Sequence, residues 1–274
     1  MYRSTSSARL WRIVGLTALA ATLLLLGGFV YALQDMLNPR LPAPAEATKP
    51  SPEASQPGLA EAAEVNVVAI GDSLTKGTGD ATGDGYVRQV VNGLSDLWDK
   101  PVKLLNNLAV AGMRTDQLLE KLKRDSGYRY AIRQANLILL TIGGNDLFQH
   151  AQSGAEEEGD VIDPQRLERM LPGALKRFEE VLSLLNRLNP NATVVYVGLY
   201  NPFYDLMEMR DGSLQVQQWN ERAYALIHRY PQMQMIPTFD LFESRIGDYL
   251  SPDHFHPNHD GYAQIAARIM QSLK

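Results

Sequence analysis

No cysteine occurs among the 274 residues. Its absence excludes disulfides, a thiolate nucleophile, Cys-ligated zinc and lipid attachment through cysteine, and it leaves the redox compartment open. Positive charge is also short: 26 Lys and Arg stand against 31 Asp and Glu, a formal net charge of −5. With no basic stripe interleaved with aromatics, nucleic acid is not an expected partner. Two catalytic patterns are missing as well. The H-E-x-x-H zinc helix is absent. The G-x-S-x-G elbow of the α/β-hydrolase fold is absent too, because the nearest stretch reads Gly71-Asp72-Ser73-Leu74-Thr75 and lacks the second glycine. No internal repeat is present.

Charge is missing altogether from Ile13 to Leu33, a run of 21 mostly apolar residues. About 20 such residues cross a bilayer as a helix. Arg3, Arg9 and Arg12 precede the run and are the only charges before Asp35. That asymmetry puts a basic tail, residues 1–12, in the cytoplasm and the rest of the chain outside. The run is long for a signal peptide, and Val30-Tyr31-Ala32 is a poor cleavage site because of the bulky Tyr31. Residues 13–33 therefore read as an uncleaved signal anchor, with secretion after cleavage as the alternative. Residues 34–64 follow, rich in Pro, Ala, Ser and Glu with few large apolar side chains. Such a segment buries too little surface to fold and reads as a disordered tether.

Residues 65–274 are long enough for one α/β domain with a full core. Short β-branched runs, Val65–Ile70, Val102–Leu105, Ala135–Ile142, Ala192–Leu199 and Met233–Ile236, alternate with helical patterns over Tyr86–Trp98, Thr115–Arg124, Gln165–Leu188, Leu214–Arg229 and Tyr262–Ser272. This alternation predicts a parallel sheet with helices on both faces, a doubly wound three-layer α/β/α sandwich.

In such a sheet, ligands bind at the carboxyl ends of the strands. Ser73 stands on a tight turn just past the first strand. On that stretch alone it reads equally as a nucleophile or as a helix cap. Three more strand ends carry polar residues: Asn106 to Gly112, Gly143-Gly144-Asn145-Asp146, and Ser251 to Asn258. A parallel sheet brings all of these to the edge that carries Ser73. A serine hydroxyl needs a base, and the base needs an orienting carboxylate. Asp253 and His256, three apart on a Pro-flanked turn, can supply both. The backbone N–H groups of Ser73 and Gly112 and the amide of Asn145 are candidate donors to an oxyanion.

Taken together, Gly71-Asp72-Ser73-Leu74, Asn107 with Gly112, Gly143-Gly144-Asn145-Asp146 and Asp253-x-x-His256 resemble the four signature blocks of the SGNH, or GDSL, hydrolases, in the family's order. The resemblance covers essentially Val65 to Lys274, and membrane-tethered members of the Gram-positive bacterial branch look similar. It implies a flavodoxin-like fold with five parallel strands in the order 2-1-3-4-5. It implies ester hydrolysis through an acyl-enzyme, with Ser73 as nucleophile, His256 as base, Asp253 as its partner, and Ser73, Gly112 and Asn145 as the oxyanion hole. No metal or cofactor is implied. The expected substrate is a small-molecule, lipid or O-acylated glycan ester; the resemblance does not choose among them. The rival reading is a non-catalytic glycan- or lipid-binding module on the same scaffold, which would be marked by a missing signature residue; none is missing.

Neighbouring residues have plainer readings. Asp72 is expected to hold the turn, Asn107 to brace its loop, and Asp146 to act as a cap or loop anchor. His254, His259, Asp253 and Asp260 cluster around His256 without a metal-ligand spacing. Asp260 reads as the N-cap of the last helix. Glu156-Glu157-Glu158 reads as a solvated loop. The aromatics in Leu199 to Tyr204 read as packing, with an acyl-site lining as the alternative. Met207, Met209, Met233 and Met235 read as core fillers.

Overall fold

A computed structural model of the chain describes residues 5–37, 58–152, 164–204 and 213–274. The acidic loop around Glu157, Met207, Met209 and most of the tether lie outside the described residues. The chain divides into two units, Met1–Ser55 and Gln56–Lys274.

The first unit contains helix α1, Thr5–Leu37. Its stretch Trp11–Val30 has a mean hydropathy of 2.3 and is long and apolar enough to cross a membrane. Leu19, Leu23, Leu24 and Phe29 are exposed. The two described threonines in this stretch hide their polarity within the helix. Thr17 Oγ1 donates to the Ile13 and Val14 carbonyls, and Thr22 Oγ1 to that of Ala18.

The second unit is built on five strands: β1 Val65–Gly71, β2 Val102–Asn107, β3 Leu137–Thr141, β4 Thr193–Val197 and β5 Met233–Ile236. All pair in parallel, in the order β2-β1-β3-β4-β5. The alternation of side chains along the strands divides the core in two. Val68, Ile70, Ile138, Leu140, Val194 and Tyr196 face one cluster. Val65, Val67, Ala69, Leu137, Leu139, Val195 and Val197 face the other. Both faces are apolar, as a strand covered on both sides by helices requires. All five residues of β3 are buried. Each buried Leu or Ile there contributes about 1.5–3 kcal/mol, which makes this strand the anchor of the sheet.

The crossovers supply the two outer layers. One layer holds α3 Gly85–Trp98, α9 Phe239–Glu243, α10 Ile246–Tyr249 and α11 His259–Ser272. The other holds α4 Thr115–Arg124, α5 Ser126–Gln134, α6 Gly144–Gln152, α7 Pro164–Leu188 and α8 Ser213–Ile227. The short α2, Ser73–Lys76, sits directly after β1. In α3 the buried residues Tyr86, Val87, Val90, Val91 and Leu94 fall on one helical stripe. In α4, Leu118, Leu119 and Leu122 do the same.

The packed unit extends back before β1. Lys100 Nζ donates to the carbonyls of Leu59, Ala60 and Ala62, and Leu59 and Ala62 pack on the α3 side of the core. Composition alone assigned these residues to the tether. The final helix also begins earlier than its periodicity indicates. Its N-cap is Asn258, whose side chain accepts from the Gly261 amide, and Asp260 is the second helical residue. Asn258 fits the cap because its backbone is extended there, and its amide also donates to the Asp248 and Leu250 carbonyls.

Candidate active site

The turn after β1 is built around backbone that only glycine tolerates. Gly71 has φ +130, and a Cβ at this position would lie 1.9 Å from the Thr141 carbonyl oxygen of the neighbouring β3. The chain then reverses tightly, with the Asp72 amide donating to that same oxygen at 3.1 Å. Asp72 is the N-cap of α2: its Oδ1 accepts from the Leu74 amide at 3.1 Å and from the Thr141 hydroxyl at 2.6 Å. Ser73 follows, buried at the carboxyl edge of the sheet.

A chain of buried hydroxyls fixes this turn from beneath. Thr141 Oγ1 donates to Asp72, so it must accept from Thr75 Oγ1 at 2.7 Å, which in turn accepts from the Tyr86 hydroxyl at 2.7 Å. The order of donors follows from the carboxylate at the end. Burial pushes the Asp72 carboxyl above its ordinary range, against the hydrogen bonds from Thr141 and Leu74. Burial likewise pushes the Tyr86 phenol far up, keeping it a neutral donor. Thr75, Tyr86 and Thr141 gave no signal in sequence, because hydroxyls 66 residues apart carry no mark of pairing.

Asp253 and His256 arrive on the turn between α10 and α11. That turn is closed by the Ser251 amide on the His256 carbonyl at 2.8 Å. His256 Nε2 lies 2.8 Å from Ser73 Oγ, and His256 Nδ1 lies 2.7 Å from Asp253 Oδ2. Asp253 Oδ1 accepts three more hydrogen bonds, from the Ser251 hydroxyl at 2.7 Å and from the Phe255 and His256 amides at 2.9 Å each. Partial burial pushes the Asp253 carboxyl up, but the bonds from His256, Ser251 and Phe255 outweigh it and hold it at about 2. An ionised Asp253 accepts a hydrogen bond from the Nδ1–H, which leaves Nε2 as the acceptor for the Ser73 hydroxyl. From outside the turn, the Tyr200 hydroxyl donates to the Phe255 carbonyl at 2.7 Å. Ser251, two residues before Asp253, was within reach of sequence reasoning as an orienting hydroxyl on the same loop.

Gly112 and Asn145 come from two other strand ends. The loop after β2 is laced to β1 by the Leu108 and Val110 amides, which donate to the Ala69 and Gly71 carbonyls at 2.8 and 2.9 Å. Asn107 braces the same loop, donating to the Thr75 carbonyl and accepting from the Ala109 amide. Asn145 is buried in the first turn of α6, and one of its amide hydrogens donates to the Met113 carbonyl at 2.9 Å. The next residue, Asp146, binds Thr115 and Arg177. Burial pushes its carboxyl above the ordinary range, and those two partners work against the rise. Asp72, Asn107 and Asp146 are thus engaged with backbone and side chains of the scaffold. Of the other histidines in the region, His254 has φ +54, and His259 Nδ1 lies 3.2 Å from Asp80 Oδ2. Among the described residues no group of three or more Asp, Glu or His side chains has a metal-binding arrangement.

Beside Ser73 is a cavity of about 30 Å³, lined among others by Asn145, Phe148, Leu199, Tyr200, Pro202 and Phe255. Leu199, Tyr200 and Pro202 thus line this cavity, while Phe203 packs behind it on Phe148 and Phe255 with centroids 5.8 and 5.7 Å away. A wider groove of about 920 Å³ runs from Gly112 along α4 and does not include Ser73 in its walls.

Comparison with known proteins agrees with this fold. Residues 69–264 match the model of the GDSL-like lipase/acylhydrolase family. The chain is 37% identical over 217 residues to the uncharacterized protein YpmR of Bacillus subtilis (strain 168), covering 76% of this chain and 81% of that one. It is 25% identical over 205 residues to the spore germination lipase LipC of Bacillus licheniformis, covering 73% and 92%. In fold it resembles the crystal structure of the lipase Lip_vut3 from a goat rumen metagenome. That similarity has a TM-score of 0.66 at 23% identity, over 77% of this chain and 100% of that one.

Proposed function

The chain belongs to the GDSL-like lipase/acylhydrolase family and is a carboxylic ester hydrolase; from that premise we propose that it acts through an acyl-serine intermediate on Ser73. The observation that carries the reading is the unbroken relay from Ser73 Oγ to His256 Nε2 at 2.8 Å and from His256 Nδ1 to Asp253 at 2.7 Å. His256 takes the Ser73 proton as Oγ attacks the ester carbonyl carbon. Asp253, already ionised, stabilises the imidazolium that forms. The carbonyl oxygen gains negative charge and is met by the Ser73 and Gly112 amides and by the second amide hydrogen of Asn145. The tetrahedral intermediate then collapses, the C–O bond to the alcohol breaks, and His256 returns its proton to the leaving oxygen. Water repeats the sequence, attacking the acyl-serine with His256 as base, and releases the acid.

The N-terminal helix fits a signal anchor or a signal peptide. We favour the anchor, with residues 1–12 cytoplasmic, a tether over residues 34–64 and the hydrolase domain outside the cell. The length of the apolar run and the arginines before it support this orientation. Under alkaline carbonate washing the full-length protein should stay in the membrane fraction of its host, and recovery in the medium would refute the anchor.

The decisive experiment pairs Ser73→Ala with active-site labelling. The wild-type protein should hydrolyse p-nitrophenyl acetate and take a fluorophosphonate label on Ser73. The variant should lose the label and at least about 10³-fold in kcat while remaining folded. A folded wild type that neither labels nor turns over the ester would make the domain a binding module instead.

A further inference from the structure

On the catalytic reading above, we propose that this hydrolase is selective for short acyl groups, of two to about four carbons. Once Ser73 Oγ has attacked, the former carbonyl carbon carries three groups besides Oγ. The oxygen belongs with Gly112 and Asn145. The alcohol must lie against His256 Nε2, because that nitrogen has to protonate it. The acyl chain takes the remaining direction. The 30 Å³ cavity is lined by Ser73, Gly144, Asn145 and Phe148, and His256 is not among its lining residues. It is therefore the space left for the acyl chain.

Its size sets the limit. About 10–15 Å³ of such volume holds one water-sized group, so this cavity holds about two or three. An acetyl group places one carbon beyond its carbonyl, and a butyryl group places three. The walls are not free to retreat. Phe148, Val197, Leu199 and Tyr200 are all buried. Phe148 is wedged edge-on against Phe203 and Phe255. Tyr200 is held at both ends, its ring stacked on Phe242 at a centroid distance of 4.0 Å and its hydroxyl bonded to the Phe255 carbonyl. Extra methylenes forced into a packed wall displace several fixed groups at once.

The test uses the full-length protein and p-nitrophenyl acetate, butyrate and octanoate, with hexyl acetate and ethyl hexanoate as an isomeric pair of matched composition. We expect kcat/KM for acetate or butyrate to exceed that for octanoate by at least ten-fold, and hexyl acetate to be cleaved at least ten-fold faster than ethyl hexanoate. Leu199→Ala and, separately, Phe148→Leu should each narrow the acetate-to-octanoate ratio, and either variant suffices if the other fails to fold. Equal or greater rates on octanoate and ethyl hexanoate overturn the short-acyl assignment and leave the serine mechanism standing. No hydrolysis of any of these esters, with Ser73 unlabelled, overturns the mechanism and this inference with it.

Discussion

The Asp146 carboxylate accepts both the amide and the hydroxyl of Thr115, 31 residues earlier in the chain, at 2.9 and 2.6 Å. This pair ties the start of α4 to the first turn of α6, and so ties the loop carrying Gly112 to the helix carrying Asn145. Arg177 of α7 adds a third point, with Nε on the Thr115 hydroxyl at 3.1 Å and Nη2 on Asp146 at 3.3 Å. Two of the three donors proposed for the oxyanion, Gly112 and Asn145, are thereby held in one rigid frame. Thr115→Val removes the shorter of the two bonds to a buried carboxylate. It should cost about 1.5–3 kcal/mol in urea unfolding. It should also lower kcat roughly ten-fold or more with little change in KM, since the donors act chiefly on the transition state. A variant that loses stability but keeps full kcat would show the frame to be structural only.

Asp253 should govern both activity and acid stability. Asp253→Asn offers an amide hydrogen where His256 Nδ1 needs an acceptor, favours the wrong tautomer, and should lower kcat by roughly 10²–10⁴-fold. In the wild type, Asp253 is ionised down to about pH 2. The acid limb of kcat/KM should therefore carry no step from Asp253 until the pH approaches that value. The same carboxyl titrates near 3.9 in an unfolded chain. Its contribution to stability is complete above that value and fades as the pH falls toward 2, weakened by its exposure to solvent. Asp72 and Asp146 have the opposite sign. Their carboxyls are raised by burial in the folded protein, so protonating them does not unfold it. Urea midpoints measured from pH 2 to 7 should fall on the acid side in the wild type and less steeply in Asp253→Asn.

Two glycines near Ser73 should respond differently to alanine. At Gly71 the new methyl meets the Thr141 carbonyl oxygen at 1.9 Å in addition to the strained φ. A loss of at least about 3 kcal/mol, or no soluble protein, is expected. At Gly112 nothing lies within 4 Å of the added carbon, and only φ +77 opposes it. The stability cost there should be about 1–2 kcal/mol, while kcat falls if the amide shifts from the oxyanion. Thermal melts and single-turnover kinetics on both variants separate the two effects.

The hydroxyl relay below Asp72 should be structural. Tyr86→Phe removes its first donor, and Thr75 Oγ1 still accepts from the Thr141 amide at 3.1 Å. The expected cost is about 0.5–1.5 kcal/mol, with kcat and its pH profile unchanged; a shifted profile would mean that the relay reaches the reacting groups.

Much of the fold was legible because its elements are written in local patterns. The β-branched runs of β1, β3 and β4 and the stripe Leu118-Leu119-Leu122 of α4 are periodic signals that tertiary packing reinforces. Helices α5 and α6 were missed for different reasons. The start of α5 depends on Asp125 capping the Gly127 and Tyr128 amides, in a stretch whose apolar residues are few. The start of α6 lies inside the Gly143-Gly144-Asn145-Asp146 block, where glycines read as a loop. Asn258 lost the cap to Asp260 in sequence because both suit the role, and backbone angle alone separates them. The residues drawn from three strand ends could be named before the fold was known, since each stands beside a turn; Asp253 and His256, expected at a fourth strand end, instead lie on the turn between α10 and α11, because two short helices intervene after β5. Thr115, Thr141, Tyr86 and Arg177 could not be named, since their meaning lies in partners 11 to 69 residues away.

Asp253 and His256 sit on a single turn, and four of its hydrogen bonds converge on one carboxylate. The proposed base and its carboxylate partner therefore behave as one part. Their mutual geometry is settled mostly within six residues, with the Tyr200 hydroxyl on the Phe255 carbonyl as an outside brace. The proposed proton transfer depends on the rest of the molecule through one adjustable length, from His256 Nε2 to Ser73 Oγ. Heat and mild denaturant should register in activity by stretching that gap, before any sign of unfolding appears.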